Sequence, residues 1–229
     1  MQTTALRYLV RPMTLGDISQ VMEIEQQSFP TMWPQTAFKR ELQQNRLARY
    51  LVAIKVQDGP PTAAAQPYGP SGAAPLGSSG GFARFLSDLK HVFAGEEPPP
   101  PGERSELVVG FIGVWLLPEE AHIVTIAVRE DSRGRGVGEL LLIAAIGLAQ
   151  QNQQPLVTLE VRVSNSVAVA LYEKYGFKHM GLRPNYYTDN REDAYVLTVD
   201  QLSSPEYREL LQRLKREHAD RWGESQLQL

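Results

Sequence analysis

The sequence predicts a mixed α/β (α+β) domain built on a central sheet, and three features indicate it. Residues 156–163 alternate between apolar and polar side chains, as a strand with one buried face does. Residues 139–151 carry apolar side chains at helical spacing. Strand-like and helix-like segments follow one another along most of the chain, so we expect helices to pack on a sheet.

The N-terminal part is predicted to place two helices between β segments. Thr14 and Asp17 form a capping-box-like start for the first helix, with Asp in the place of the usual Glu. The second helix is expected to follow the turn at Pro30 and Pro34. The expected elements are a strand at 7–11, a helix from 14 to about 27, a helix at 36–44 and a β-rich segment at 47–56.

The C-terminal part alternates in the same way. Its expected strands lie at 107–117, 121–128, 156–163 and 194–202. Its expected helices lie at 139–151, 166–175 and 205–222, and the last of these has a charged surface of balanced sign.

An abrupt change of composition at 59–81 predicts an insertion. Nineteen of these 23 residues are Gly, Pro, Ala or Ser, so the segment has too little apolar surface to offset the entropy of ordering. The apolar spacing within 82–93 fits a short helix that either leans on the domain or docks to a partner or membrane surface. We therefore predict one domain over 1–202, interrupted by a flexible insertion at 59–105, and a helical extension at 203–229.

Composition excludes several functional classes. The 229 residues include no cysteine, which rules out a disulfide scaffold, a thiolate metal site and a cysteine nucleophile. With 23 basic and 26 acidic residues and no basic block, the chain lacks the footprint of a nucleic-acid binder. No apolar run reaches the length of a membrane span, and the first residues do not resemble a signal peptide. We expect a cytoplasmic protein without metal.

The strongest local motif is the glycine-rich segment from Arg133 to Gly138, which lies between a strand and a helix. Its glycines would let backbone N–H groups approach a phosphate at the helix N-terminus, although the same residues also suit a simple turn. A P-loop is excluded because Glu139 follows Gly138 where Lys is needed. A dinucleotide fold is disfavoured because residues 130–132 separate the strand from the glycines.

Two further residues with useful chemistry follow this motif. From the pattern alone, Glu160 could be a solvated carboxylate and Tyr172 part of an amphipathic helical stripe. The four histidines, at 91, 122, 179 and 218, have no metal-ligand spacing, so surface or core positions are expected for each.

Taken together, three segments resemble the GNAT acetyltransferase superfamily: TIAVREDSRGRGVGELLL, LEVRVSNSVAVALYEKYGF and LRPNYYTDNREDAYVL. The family's pyrophosphate motif has six positions: Gln or Arg, two variable residues, Gly, one variable residue, and Gly or Ala. Arg133, Gly136 and Gly138 match its three fixed positions. The segments most resemble the ribosomal-protein-alanine N-acetyltransferases of the RimI type. The strong resemblance covers about 120–198 and a weaker one covers 7–56, whereas 59–105 and the tail after about 203 have no counterpart.

The resemblance implies a twisted, mostly antiparallel sheet whose fourth and fifth strands splay apart, with acetyl-CoA as co-substrate in the wedge. It implies that the pantetheine arm pairs with the backbone of Ile126, Ala127 and Val128, and that Asn165 contacts the cofactor. The residues implied for the pyrophosphate are Arg133, Gly134, Arg135, Gly136, Val137, Gly138 and Glu139.

The resemblance also assigns the chemistry, with Glu160 as general base and Tyr172 as general acid. A protein N-terminal amine, with a pKa of about 7.7–8.0, must lose a proton before it attacks a thioester, and a phenol can protonate the leaving thiolate. The residues implied for the acceptor groove are Phe29, Trp33, Tyr186 and Tyr187, each of which could equally belong to the core.

The expected function is therefore Nα-acetylation of a ribosomal protein that begins with alanine. Two alternatives remain at this point: a broader acetyltransferase that acts on other N-termini or on lysine, and a non-catalytic CoA-binding module. The expected partner is a protein N-terminus, with neither nucleic acid nor membrane.

Overall fold

An eight-stranded mixed sheet organises the computed structural model, which describes residues 7–30, 33–56 and 106–229. The strand order is β6-β7-β5-β4-β3-β2-β1-β8. Neighbouring strands are antiparallel except for β4 with β5 and β1 with β8, which are parallel. The strands are β1 Tyr8–Pro12, β2 Ala48–Lys55, β3 Leu107–Leu116, β4 Ala121–Val128, β5 Val157–Arg162, β6 Lys178–Tyr187, β7 Glu192–Val199 and β8 Ser225–Leu227. The predicted sheet is confirmed.

Helices flank this sheet. The α-helices are α1 Ile18–Ser28, α2 Gln35–Gln44, α3 Val137–Gln151, α4 Ser166–Lys174 and α5 Pro205–Trp222, and short 3₁₀ turns cover Leu15–Asp17 and Glu130–Ser132. In the described part of the chain, none of the helices combines the length and the apolar character that a membrane crossing requires.

The core consists of two apolar clusters. One contains α3 with residues of α4, α5 and the central strands, and its fully buried members include Tyr175, Leu142 and Ile146. The other contains Ile18 and Phe38, from α1 and α2, with residues of β2 and β3. Residues 140–149 of α3 are all buried, because the helix is covered on every side rather than on one face.

The pairing of β4 with β5 is short and positions the functional site. It begins at Ala121 with Val157 and ends at Ile123 with Leu159. Beyond Ile123, β4 pairs only with β3, and a register shift at Val124 accompanies the change. The two strands therefore separate as the resemblance implied, and no strand of the described residues pairs with the edge of β4 from Thr125 to Val128 on its β5 side.

The predicted elements agree with the observed ones except at two strands that the sequence pattern did not indicate, β6 and β8. Nearly every residue of β6 is exposed, so it lacks the alternation that marks a half-buried strand. Strand β8 has only three residues. The helix predicted within 82–93 and the insertion at 59–105 lie outside the described residues.

Candidate active site

A cleft of about 610 Å³ opens where β4 and β5 separate. It brings together residues that lie far apart in the sequence, including the proposed base Glu160 and the proposed acid Tyr172. The other predicted site residues that line it are Phe29, Trp33, Ile126, Asn165, Tyr186 and Tyr187. Ala127, Val128 and the glycine-rich loop do not line this cleft and lie instead at the end of β4 and the start of α3.

The glycine-rich loop has the backbone shape that anion binding requires. Gly134 and Gly136 have φ values of 69° and 81°, a conformation that favours glycine. Helix α3 starts at Val137, so the N–H groups of its first turn have no partner within the helix. The N–H of Arg133 differs, because it donates to the Glu130 carbonyl at 3.3 Å. The amides open to a pyrophosphate therefore begin at Gly134.

The Arg133 side chain fastens this loop to helix α1. Its Nε donates to the Val128 carbonyl at 3.1 Å, and its NH2 group donates to the Gln27 carbonyl and to Ser28 Oγ, both at 3.2 Å. The guanidinium thus holds the loop in place, while the phosphate-binding capacity rests on backbone N–H groups.

Both oxygens of the Glu160 carboxylate contact a basic side chain. His122 Nε2 lies 3.0 Å from Oε2, and Arg183 NH2 lies 2.9 Å from Oε1. The hydrogen bond from His122 lowers the pKa of Glu160 and raises the pKa of the imidazole. At neutral pH, Glu160 is therefore an ionised carboxylate.

His122 and Arg183 are site residues that sequence reasoning missed. His122 lies on β4 and lines the cleft. The sequence predicted a surface or core position for it, whereas the structure places it beside the proposed base. A signal for it was present, since His122 and Thr125 are the two polar residues of an otherwise apolar strand. Arg183 lies on β6, which the sequence pattern did not indicate as a strand.

Tyr172 points its ring into the apolar part of the site. The residue is 4% exposed, and its ring centroid lies 5.7 Å from that of Phe177. Burial raises the pKa of Tyr172, so the hydroxyl keeps its proton at neutral pH. Asn165 positions this helix, because its Oδ1 caps α4 by accepting from Ala168 N at 3.2 Å.

Aromatic side chains form the other walls of the cleft. Tyr186 and Tyr187 pack edge to face with ring centroids 5.2 Å apart, and the Arg162 guanidinium stacks over Tyr187 at 3.9 Å. Burial raises the pKa of Tyr187 to about 12. On the opposite side, Trp33 packs against Phe38 at 5.8 Å.

Glu25 is a second carboxylate in the cleft lining that the sequence pattern did not single out. Its Oε1 accepts from Trp33 N at 3.3 Å, which holds the end of α1 to the segment before α2. Its buried Oε2 has no hydrogen-bond partner among the described residues, and burial raises the pKa of Glu25. No group of three or more His, Asp or Glu side chains within 7–30, 33–56 and 106–229 could hold a metal ion.

Comparison with known proteins shows which family this chain belongs to. A sequence profile of the Acetyltransferase (GNAT) family matches residues 81–177. A protein of Bacillus subtilis, provisionally named a ribosomal protein bS18-alanine N-acetyltransferase, is 32% identical over 83% of this chain and 93% of its own length.

Solved structures share the fold. The ribosomal-protein-S18-alanine N-acetyltransferase of Escherichia coli superposes with a TM-score of 0.57 at 22% identity, over 84% of this chain and 93% of that one. A chain of the NatC complex, solved with a Gag peptide and CoA, superposes with a TM-score of 0.57 at 18% identity, over 85% and 99%. The chain belongs to the GNAT acetyltransferase family. It is an acyltransferase that takes its acetyl group from acetyl-CoA.

Proposed function

We propose that this enzyme acetylates the α-amine of a protein N-terminus, and that its acceptor is a ribosomal protein beginning with alanine. The observation that carries the proposal is the meeting of Glu160 and Tyr172 in one cleft beside the unpaired edge of β4. The B. subtilis and E. coli relatives, named for alanine acetylation of a ribosomal protein, support this choice of acceptor.

The residues present fit acetyl-CoA. The backbone groups of Ala127 face β3, whereas those of Ile126 and Val128 face the side where β5 has turned away, and the Val128 carbonyl already accepts from Arg133 Nε. An extended pantetheine arm can pair with the remaining groups of this edge. The amides from Gly134 to Glu139 suit a pyrophosphate. When bound, acetyl-CoA supplies the thioester whose acetyl group is transferred.

Glu160 is proposed to accept the proton that the amine must lose, directly or through one water. A carboxylate with a lowered pKa is a weak base, but it is ionised throughout the working pH range and so is always able to accept. Its neighbour Arg183 adds positive charge at the same place, and so does His122 when it is protonated. Positive charge disfavours a bound ammonium and favours a neutral amine.

The intrinsic pKa values support an α-amine as acceptor over lysine. An α-ammonium has a pKa of about 7.7–8.0, whereas that of a lysine side chain is about 10.4. Neighbouring positive charge lowers either pKa, so near neutral pH the α-amine becomes neutral while the lysine amine stays largely protonated.

Tyr172 is proposed to protonate the departing CoA thiolate. Its raised pKa keeps the phenol neutral until the thiolate forms, and its buried position excludes water as a competing donor. Phe29, Trp33, Tyr186 and Tyr187 are proposed to hold the first residues of the acceptor, since all four line the cleft.

A competition reaction tests the proposal. The enzyme is given acetyl-CoA and two peptides, one with a free N-terminal alanine and no lysine, the other with a blocked N-terminus and an internal lysine. We expect mass spectrometry to find acetyl on the alanine amine alone. Acetyl on lysine would assign the broader activity, and CoA binding without transfer would assign a non-catalytic module.

A further inference from the structure

The C-terminal helix α5 reaches the glycine-rich loop. His218, which is 4% exposed, places its Nε2 at 3.0 Å from the Gly136 carbonyl oxygen. Since a carbonyl only accepts, Nε2 carries the proton of this hydrogen bond. The same carbonyl also accepts the first hydrogen bond of α3, from Leu140 N at 2.9 Å. One peptide group thus connects α5 to the start of α3.

Trp222 lies directly against the same glycine. A Cβ at Gly136 would lie 2.5 Å from Trp222 Cδ1, so the indole occupies the space that any other side chain would need. Gly136 is therefore required for two reasons: its left-handed conformation and its close contact with the indole.

Helix α5 is itself held firmly. Arg7 NH1 donates to the Trp222 carbonyl at 3.0 Å, which ties the end of the helix to β1. Near its start, the Tyr207 hydroxyl donates to the Tyr175 carbonyl at 3.1 Å. Fixed at both ends, α5 presents His218 and Trp222 to the loop in a defined position.

We propose that His218 and Trp222 are positioning residues for acetyl-CoA, which fix Gly136 so that the amides of the loop are preorganised for the pyrophosphate. The inference rests on the pyrophosphate placement proposed above. A loop already held in its binding conformation loses less entropy when an anion binds. Removing either support should therefore weaken the binding of CoA without changing the chemistry at Glu160 and Tyr172.

The test compares two acetyl donors, acetyl-CoA and acetyl-pantetheine, which lacks the pyrophosphate. We expect His218→Leu and Trp222→Leu each to raise the KM for acetyl-CoA and the Kd for CoA about 2- to 10-fold, the span of one net hydrogen bond, with kcat nearly unchanged. The kcat/KM for acetyl-pantetheine should stay constant. His218→Gln keeps a side-chain N–H and should recover most of the affinity.

Leu214→Ala is the matched control, because Leu214 is a buried residue of the same helix that belongs to the apolar core. It should lower thermal stability while the ratio of kcat/KM between the two donors stays at the wild-type value. If His218→Leu preserves that ratio, or if Leu214→Ala lowers it equally, the inference is overturned. A wild-type enzyme that uses both donors equally well would overturn the pyrophosphate placement, and this inference with it.

Discussion

At the scale of single residues, the ionisation of the Glu160 carboxylate depends on the side chains that the fold places around it. The side chain is 7% exposed, and a carboxylate so enclosed would normally be hard to ionise. His122 and Arg183 reverse that tendency. His122 lies on β4, the neighbour of β5, and Arg183 lies on β6, beyond β7, so the charge of the proposed base depends on how the sheet is assembled.

We expect Glu160→Gln and Tyr172→Phe each to lower kcat by roughly 10²- to 10⁴-fold, the usual span for a lost general base or acid. Initial rates with acetyl-CoA and an alanine peptide measure this, and circular dichroism checks the fold. Glu173→Gln serves as a control, because that carboxylate is exposed and, among the residues that the structure describes, pairs with His179 alone. Rates near the wild-type value in folded variants would refute the assigned roles.

The pair of His122 and Glu160 should also make stability depend on pH. Because the pKa of His122 is raised in the folded state, its contribution is complete below about pH 6.5 and is lost as pH rises through the folded pKa. We expect His122→Gln to lower the free energy of unfolding more at pH 6 than at pH 9, as measured by urea titration. In a Glu160→Gln background, the same substitution should show a smaller pH dependence, because only Glu120 is left beside the imidazole.

The sequence predicted a site residue only where that residue belongs to a contiguous motif. Glu160, Tyr172 and Asn165 were singled out because they lie in contiguous motifs, and the structure brings all three to the cleft. Arg183 and Glu25 could not be found in this way, because they reach the cleft through tertiary packing of β6 and α1. Their roles depend on which strands and helices become neighbours, and local pattern carries little of that information.

At the scale of elements, the entry into α1 shows how a short motif is reinforced by the sheet. Thr14 and Asp17 form the predicted capping box. Arg11 of β1 adds two hydrogen bonds to the Asp17 carboxylate, at 2.8 and 2.9 Å. Burial opposes the charge, but the hydrogen bonds from Arg11 and Thr14 outweigh it and lower the pKa of Asp17.

Asp17→Asn should therefore lower the free energy of unfolding by about 1–3 kcal/mol at pH 7, the range for a hydrogen bond to a buried charged group. A group with a lowered pKa loses its contribution as pH falls, so the difference from wild type should shrink toward pH 3. Urea titrations at both pH values measure it. Glu106→Gln, which alters the more exposed partner of Arg11, should cost less, and an equal or larger cost would contradict the assignment.

The elements differ in how far their sequences predicted them. Helix α5 was predicted with its observed bounds, because Ser204 caps it, Pro205 begins it and Gly223 follows it. Helix α3 was recognised as a helix but not as one buried all round. The nearly continuous apolar run in α3 already indicated a second covering layer, which the C-terminal segment helps to supply.

At the scale of the whole molecule, the sheet consists of two parts, β6-β7-β5 and β4-β3-β2-β1-β8, joined by the three residue pairs between β4 and β5. The cleft lies at this join, where the ladder is interrupted. A continuous ladder would satisfy every backbone group internally and leave no edge for an extended ligand. The backbone groups that an extended ligand could pair with therefore lie where the hydrogen bonding of the sheet itself is incomplete.

The pairing of β1 with β8 has a consequence for synthesis on the ribosome. Tyr8 is among the first residues of the sheet to emerge, yet its parallel partner Ser225 is made 217 positions later. Throughout translation, the outer edge of β1 is an open template for pairing with other chains. Chains that stop before Ser225 keep that edge, so incomplete products of this protein should aggregate more readily than finished ones.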